Sequence, residues 1–239
     1  MQISAVLFDL DGTLYPIDTE AFEEHYIKTM TDSAVAAGFD RETFLSALAD
    51  SSRAIKANDG RRLNREVFIE SYTASFGRYD KETDDFFEGY FSSPDFLPPD
   101  SAENPLGKEI VRKLKKRGFT VVLATNPFSP KTGTLARLRA AGMEEKDFDW
   151  ITVMENASFC KPKLEYYRQI AQIIGKQPEE CLMVGNDVGE DMPAGEAGME
   201  TFLVTDKLTN RQKKDFSAFR RGTLKEFAAF AETLRDPSA

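Results

Sequence analysis

Asp9 and Asp11 stand two residues apart at the end of the apolar run Ala5-Val6-Leu7-Phe8, just ahead of Gly12. The run reads as a short buried strand closed by a turn. Side chains two apart on a strand share a face, so both acids are expected near one cavity. Carboxylates gathered beside an apolar core are unfavourable unless something cationic joins them. Mg²⁺ together with a phosphate ester meets that need. A carboxylate can attack phosphorus, and a second acid can carry the proton in both half-reactions. A lone pair of this kind also serves as a helix cap, so its meaning depends on the rest of the chain.

Three later stations carry further polar groups. Thr125-Asn126-Pro127 follows Val121–Ala124, Lys161-Pro162 precedes a helical stretch, and Asn186-Asp187 with Asp191 follows Cys181–Val184. Thr125-Asn126-Pro127 taken alone is an ordinary turn, and an Asn-Asp pair alone is an ordinary solvated loop. Ligands in open parallel sheets gather beyond the carboxyl ends of the strands, which is where these groups fall. His25 is the single histidine and sits in a helical pattern, so a histidine-based hydrolase or multi-histidine metal site is excluded.

The elements that would position these groups alternate. Helices are expected over Leu106–Arg117, Lys131–Ala141, Leu164–Ile174 and Met192–Ala197. Strands are expected over Phe119–Ala124, Trp150–Met154, Cys181–Val184 and Thr201–Val204. The fold class is therefore α/β, a Rossmann-like parallel-sheet core with helices on both faces. Between the first strand and this series, Asp18 to about Phe91 shows helical stripes: Phe22, Tyr26 and Met30, then Phe68, Tyr72 and Phe76. Four or five helices are expected there, followed by a return linker marked by Pro94, Pro98, Pro99 and Pro105. Residues 1–15 and 96–239 form the expected core domain, and 16–95 an inserted α-helical cap domain. Arg211–Arg221 reads as a solvated helix or loop.

The segment Phe8–Leu14 resembles the first motif of the haloacid dehalogenase (HAD) superfamily in its phosphatase form, D-x-D-G-T-L. Thr125, the Lys161-Pro162 string and the Gly185–Asp191 segment resemble the three motifs that follow, and the resemblance extends over essentially the whole chain, with a C1-type cap. It implies Asp9 as nucleophile forming an aspartyl-phosphate, Asp11 as acid and then base, and Thr125 bonding the phosphoryl group with help from Asn126. It implies that Lys161 pairs with Asp9 and the phosphate; Lys163 is the rival. Mg²⁺ is the expected cofactor, held by Asp9, the backbone carbonyl of Asp11 and Asp187, with Asn186, Asp191 and Thr13 just outside. The chain departs from the family pattern in carrying Asn186 directly after the glycine, where an acid is common, and hard Mg²⁺ favours the neighbouring Asp187. Leu164 replaces a frequent second proline.

The expected activity is Mg²⁺-dependent hydrolysis of a small phosphorylated metabolite. A phosphomutase acting on a sugar phosphate is the alternative, with a non-catalytic phospho-ligand binder further off. Asp11 speaks against a dehalogenase, whose first motif lacks the second acid. The formal charge of −9 argues against nucleic acid as a partner. No apolar stretch approaches a membrane span, the first residues show no signal-peptide pattern, and two cysteines suit a reduced compartment. A cytoplasmic monomer or weak homodimer is expected. Substrate identity is assigned to the cap, where Arg53, Lys56, Asn58, Arg61, Arg62, Asn64 and Arg65 cluster, and Tyr15 and Asp18 are expected to line the entrance.

Overall fold

Ala5–Phe8 forms β1, and all four of its residues are fully buried. A computed structural model describes residues 2–237 of the chain. The four inserted helices follow: α1 (Thr19–Ala36), α2 (Arg41–Ala57), α3 (Asn64–Phe76) and α4 (Lys81–Ser92). Asp18, Asp40 and Asp80 start α1, α2 and α4 by accepting backbone N–H bonds from residues three ahead, each such cap contributing about 1 kcal/mol. Then come α5 (Pro105–Lys116), β2 (Thr120–Leu123), α6 (Lys131–Ala140), β3 (Trp150–Ile151), α7 (Leu164–Ile173), β4 (Cys181–Gly185), β5 (Glu200–Val204), β6 (Arg221–Gly222) and α8 (Leu224–Thr233).

The strands form one parallel sheet in the order β3-β2-β1-β4-β5-β6, with β1 in the middle. Alternation along the strands sends side chains to two separate cores. Val6, Phe8, Val121, Leu123 and Val184 pack with Val111 and Leu114 of α5 and Phe227 of α8. Ala5, Leu7, Val122 and Met183 pack with Tyr166, Tyr167 and Ile170 of α7. Helices thus cover both faces, as continuous apolar strands require.

The inserted helices hold together largely through aromatic rings. Phe44, Tyr72, Phe86 and Phe87 sit with ring centroids 5.4–6.3 Å apart. The turn between α2 and α3 is fastened to the chain beyond β3, where the amides of Asn64 and Arg65 donate to the carbonyls of Ala157 and Met154.

Several expectations are corrected. β3 ends at Ile151 rather than Met154, because the Asn156 side chain takes the amide of Val153 and turns the chain. Met192–Gly195 is a single 3₁₀ turn with Pro193 in it, not a longer helix. Residues 211–220 form a mostly exposed loop, one of the two forms expected of them. β6 and α8 are additional to the elements expected from periodicity. Tyr15 is fully buried and bonded through its hydroxyl to Ser101, so it cannot line an entrance.

Candidate active site

β1 delivers Asp9 to the centre of the sheet edge, where its amide donates to the Val184 carbonyl at 2.9 Å. The chain then turns sharply at Gly12, whose φ is +83°. A side chain there would also collide with Asn186, whose Nδ2 lies 2.3 Å from where a Cβ would stand. That close approach lets Thr13 donate to Asn186 Oδ1 at 2.9 Å, tying the first loop to the one after β4. Asn186 is locked at both ends, since its Nδ2 donates to the Lys207 carbonyl at 2.7 Å.

Lys161 joins the site from a loop ten residues beyond β3, not from a strand end. Its Nζ donates to Asp9 Oδ1 at 2.7 Å and to Asp191 Oδ1 at 2.6 Å. Asp191 Oδ2 accepts from the amide of Asp187 at 2.9 Å. Gly185 makes room for this carboxylate, because a Cβ there would stand 2.1 Å from Asp191 Oδ2. Lys163 points elsewhere and donates to the Asn58 carbonyl at 2.6 Å. Asn126 braces the arrangement: its Oδ1 accepts from the Lys161 amide at 3.2 Å and its Nδ2 donates to Glu190 at 2.9 Å. The Thr125 carbonyl accepts from the hydroxyls of Thr152 and Tyr166, which leaves its own hydroxyl without a protein partner among the described residues.

Asp9, Asp11, Thr125, Asn126, Asp187 and Asp191 line a cavity of about 300 Å³ bordered on the other side by the inserted helices, which contribute Phe22, Ser52 and Lys56. A larger groove of about 690 Å³ runs along α1 and α2 past Lys28 and Arg41, and none of the clustered acids borders it. Of the basic residues between Arg53 and Arg65, only Lys56 reaches the cavity. Arg61 pairs with Asp59, Arg62 with Glu70 and Arg65 with Asp84, while Asn58 and Asn64 bond each other at 2.8 Å. Asp18 caps α1 rather than facing the cavity, and His25 bonds the Asp95 carbonyl at 3.0 Å.

Sequence reading missed two charged cavity residues whose side chains bond those named above. Arg137, on α6, is buried and its Nη1 donates to Asp11 Oδ2. The signal was present: Arg137 stands among Thr134, Leu138 and Ala141 in a buried helical stripe, a position where an arginine needs a partner. Glu190 is the other, placed inward by the loop and held by Asn126.

Carboxylates outnumber cations here. Burial raises Asp9 above the usual carboxylate range, against the pull of Lys161. It likewise raises Asp11 against Arg137, Asp187 with added repulsion from Asp191, and Glu190 against Lys161. For Lys161, burial works against the charge, but Asp191 and Asp9 hold its ammonium well above the ordinary lysine value. Asp11 Oδ1 is buried without a hydrogen-bond partner. No three histidine, cysteine or acidic side chains converge as a ready metal cluster among the described residues. A divalent ion here would draw on carboxylate and backbone oxygens: Asp9 and Asp187 border the cavity, and the carbonyl of Asp11 accepts no bond from the described residues. Hard oxygen donors in a field short of positive charge fit Mg²⁺.

The haloacid dehalogenase-like hydrolase family matches residues 3–198. The chain is similar to pyrophosphatase PpaX of Bacillus cereus, 26% identical over 212 residues, covering 88% of this chain and 87% of that protein. It is also similar to glyceraldehyde 3-phosphate phosphatase of Methanothermobacter thermautotrophicus, 25% identical over 237 residues, covering 88% and 89%. The solved structure of a HAD phosphatase from Thermococcus onnurineus shares the fold with a TM-score of 0.59 at 19% identity, covering 99% of this chain and all of that one. With the match running from the first strand through the loop that carries Asp187 and Asp191, the chain belongs to the haloacid dehalogenase-like hydrolases.

Proposed function

We propose that this chain is a Mg²⁺-dependent phosphatase of small phosphorylated metabolites, working through an aspartyl-phosphate on Asp9. The observation that carries the reading is the pairing of two differently held acids at one cavity. Asp9 is bonded through Oδ1 to Lys161, and Asp11 is bonded through Oδ2 with its Oδ1 unpartnered. The relatives named pyrophosphatase and glyceraldehyde 3-phosphate phosphatase support a small phosphate substrate.

In the first half-reaction an oxygen of Asp9 attacks phosphorus, the bond to the ester oxygen breaks, and Asp11 gives that oxygen a proton. In the second, Asp11 takes a proton from water as the water oxygen attacks phosphorus, and the Asp9–phosphorus bond breaks to release phosphate. Burial, by raising the Asp11 carboxyl, favours the protonated form that the first step uses. Lys161 keeps Asp9 oriented and offsets charge on the phosphoryl oxygens, and the free Thr125 hydroxyl, with Asn126 beside it, bonds one of those oxygens. Asp9, Asp187 and the Asp11 carbonyl would hold Mg²⁺, which when bound neutralises phosphate charge. Asn186, Thr13 and Asp191 fix the loops around that set. Residues 16–95 act as the cap domain, excluding water and presenting Ser52 and Lys56 to the leaving group.

The test is phosphate release from a panel of phosphorylated metabolites with Mg²⁺, comparing the native chain with Asp9→Asn. Turnover that survives Asp9→Asn would overturn the reading.

A further inference from the structure

We propose that Asn64 is a positioning residue for Lys161, holding the loop that carries this lysine from the side of the inserted helices. The inference rests on the phosphatase reading above. Lys161 comes from no strand end, so the sheet fixes it only through the bond between its amide and Asn126. The turn between α2 and α3 supplies the rest. Ahead of Lys161, Asn64 Nδ2 donates to the Phe159 carbonyl at 3.3 Å. Cys160 is buried in a cluster with Ile55 of α2 and Val67 of α3. Beyond Lys161, Lys163 Nζ donates to the Asn58 carbonyl at 2.6 Å. The residues two before and two after the lysine are thus gripped by the same turn.

The local chemistry of the turn explains the grip. Asn58 and Asn64 are 6% and 0% exposed, and buried amides need partners. Asn58 Nδ2 donates to Asn64 Oδ1 at 2.8 Å and to the Arg62 carbonyl at 2.9 Å, which closes the turn on itself. Leu63, just ahead of α3, has no polar side chain to cap the helix, so the first amides of α3 need acceptors from elsewhere. Those of Asn64 and Arg65 find the carbonyls of Ala157 and Met154 at 2.8 and 2.9 Å. Asn64 therefore donates to the 154–163 segment with both its backbone and its side chain. Neither Asn64 nor Asn58 lines the cavity. Their influence on the phosphoryl group passes through the loop to Lys161 Nζ, which bonds Asp9 and Asp191. Docking of the α2–α3 turn and placement of the cation are then one event.

Lys161 meets the phosphoryl end that every substrate shares, whereas the cavity residues of the inserted helices meet the leaving group. The experiment measures kcat/KM of the full chain with Mg²⁺ on p-nitrophenyl phosphate and on a simple alkyl phosphate, at a temperature where each variant is folded. Calorimetry gives the Kd of inorganic phosphate, which has no leaving group. The variants are Asn64→Ala, Lys163→Met and Arg62→Ala. Asn64→Ala and Lys163→Met are each expected to lose kcat/KM by a similar factor on both esters, about 10- to 10²-fold, and to weaken phosphate binding about 10-fold. Arg62→Ala, in the same turn but paired with Glu70, should match the native chain. Unchanged kcat/KM, unchanged phosphate binding, a loss confined to one ester, or the same losses in Arg62→Ala would each overturn the inference and leave the phosphatase reading standing. If Asn64→Ala does not fold, Lys163→Met decides by the same criterion. A native chain that hydrolyses neither ester overturns the phosphatase reading and this inference with it.

Discussion

Lys161 donates to Asp9 at 2.7 Å from a position whose side chain is 1% exposed. The same ammonium holds Asp191, so one cation stands between two buried carboxylates. Lys161→Met would leave both acids buried without it, a change that costs about 3–5 kcal/mol when a buried ion pair is broken. A clear fall in Tm together with loss of turnover is expected. Unchanged thermal stability would mean that the acids find other partners.

Asp9→Asn and Asp11→Asn should fail at different steps. Asp9→Asn removes the attacking group, and turnover should drop by about 10⁴-fold or more with no phosphoryl-enzyme formed. Asp11→Asn keeps the attacking group, so an aryl phosphate should load Asp9 and the product should persist, visible by mass. With the native chain, partition of that species to water rather than to a sugar phosphate separates a phosphatase from a mutase.

Chelation should abolish turnover, and Mg²⁺ should raise Tm by mass action, stabilising the fold by about 2.7 kcal/mol at a hundred times Kd. Asp187 uses Oδ1 to accept from the amides of Gly189 and Glu190, which leaves Oδ2 for an ion. Asp187→Asn should therefore lose the Mg²⁺-dependent rise. Asn186→Ala should instead lower Tm with or without Mg²⁺, because it cuts the tie between Thr13 and the Lys207 segment. The reverse pattern would place the ion on Asn186.

The metal-free chain should respond to pH in a defined direction. Burial raises Asp9, Asp11, Asp187 and Glu190, so the folded chain holds protons that the unfolded chain has released. The stability they contribute is complete below the ordinary carboxylate range, about 4, and is lost as pH rises through their folded values. Tm without metal should thus be lower at about pH 8 than at about pH 6, and Mg²⁺ should narrow the gap. Asp40 and Asp80, lowered by the helix amides they cap, act with the opposite sign, and only in acid. A metal-free Tm that rises towards pH 8 would contradict the assignment.

Lys56 is the member of the basic cluster that borders the cavity. Lys56→Ala should raise KM about 10-fold, or ~1.4 kcal/mol, for a substrate whose leaving group carries a negative charge, with kcat within a few-fold. Arg61 and Arg62 face solvent and pair with Asp59 and Glu70, so replacing both should leave KM unchanged. An effect of the double substitution without one at Lys56 would move recognition to the turn.

Much of this site is local in origin. Asp9 and Asp11 follow a buried apolar strand, Gly12 supplies the turn, and Thr125 and Asp187 stand just past further apolar runs, so the pattern of residue types along the chain placed them at one edge of a parallel sheet. Periodicity likewise marked the inserted helices, because aromatic residues recurring three and four apart must share a face. What depends on approach between distant segments was not legible. Arg137 meets Asp11 across 126 residues, Tyr15 is drawn into the core rather than to an entrance, and Lys56 alone of a basic cluster turns to the cavity. Sequence by itself determined which groups lie at the strand ends, since that follows from hydrophobic burial and the period of the backbone. Only the tertiary structure decided which charges pair, because ion pairs form between whatever side chains packing brings within about 3 Å, and spacing along the chain does not encode that distance.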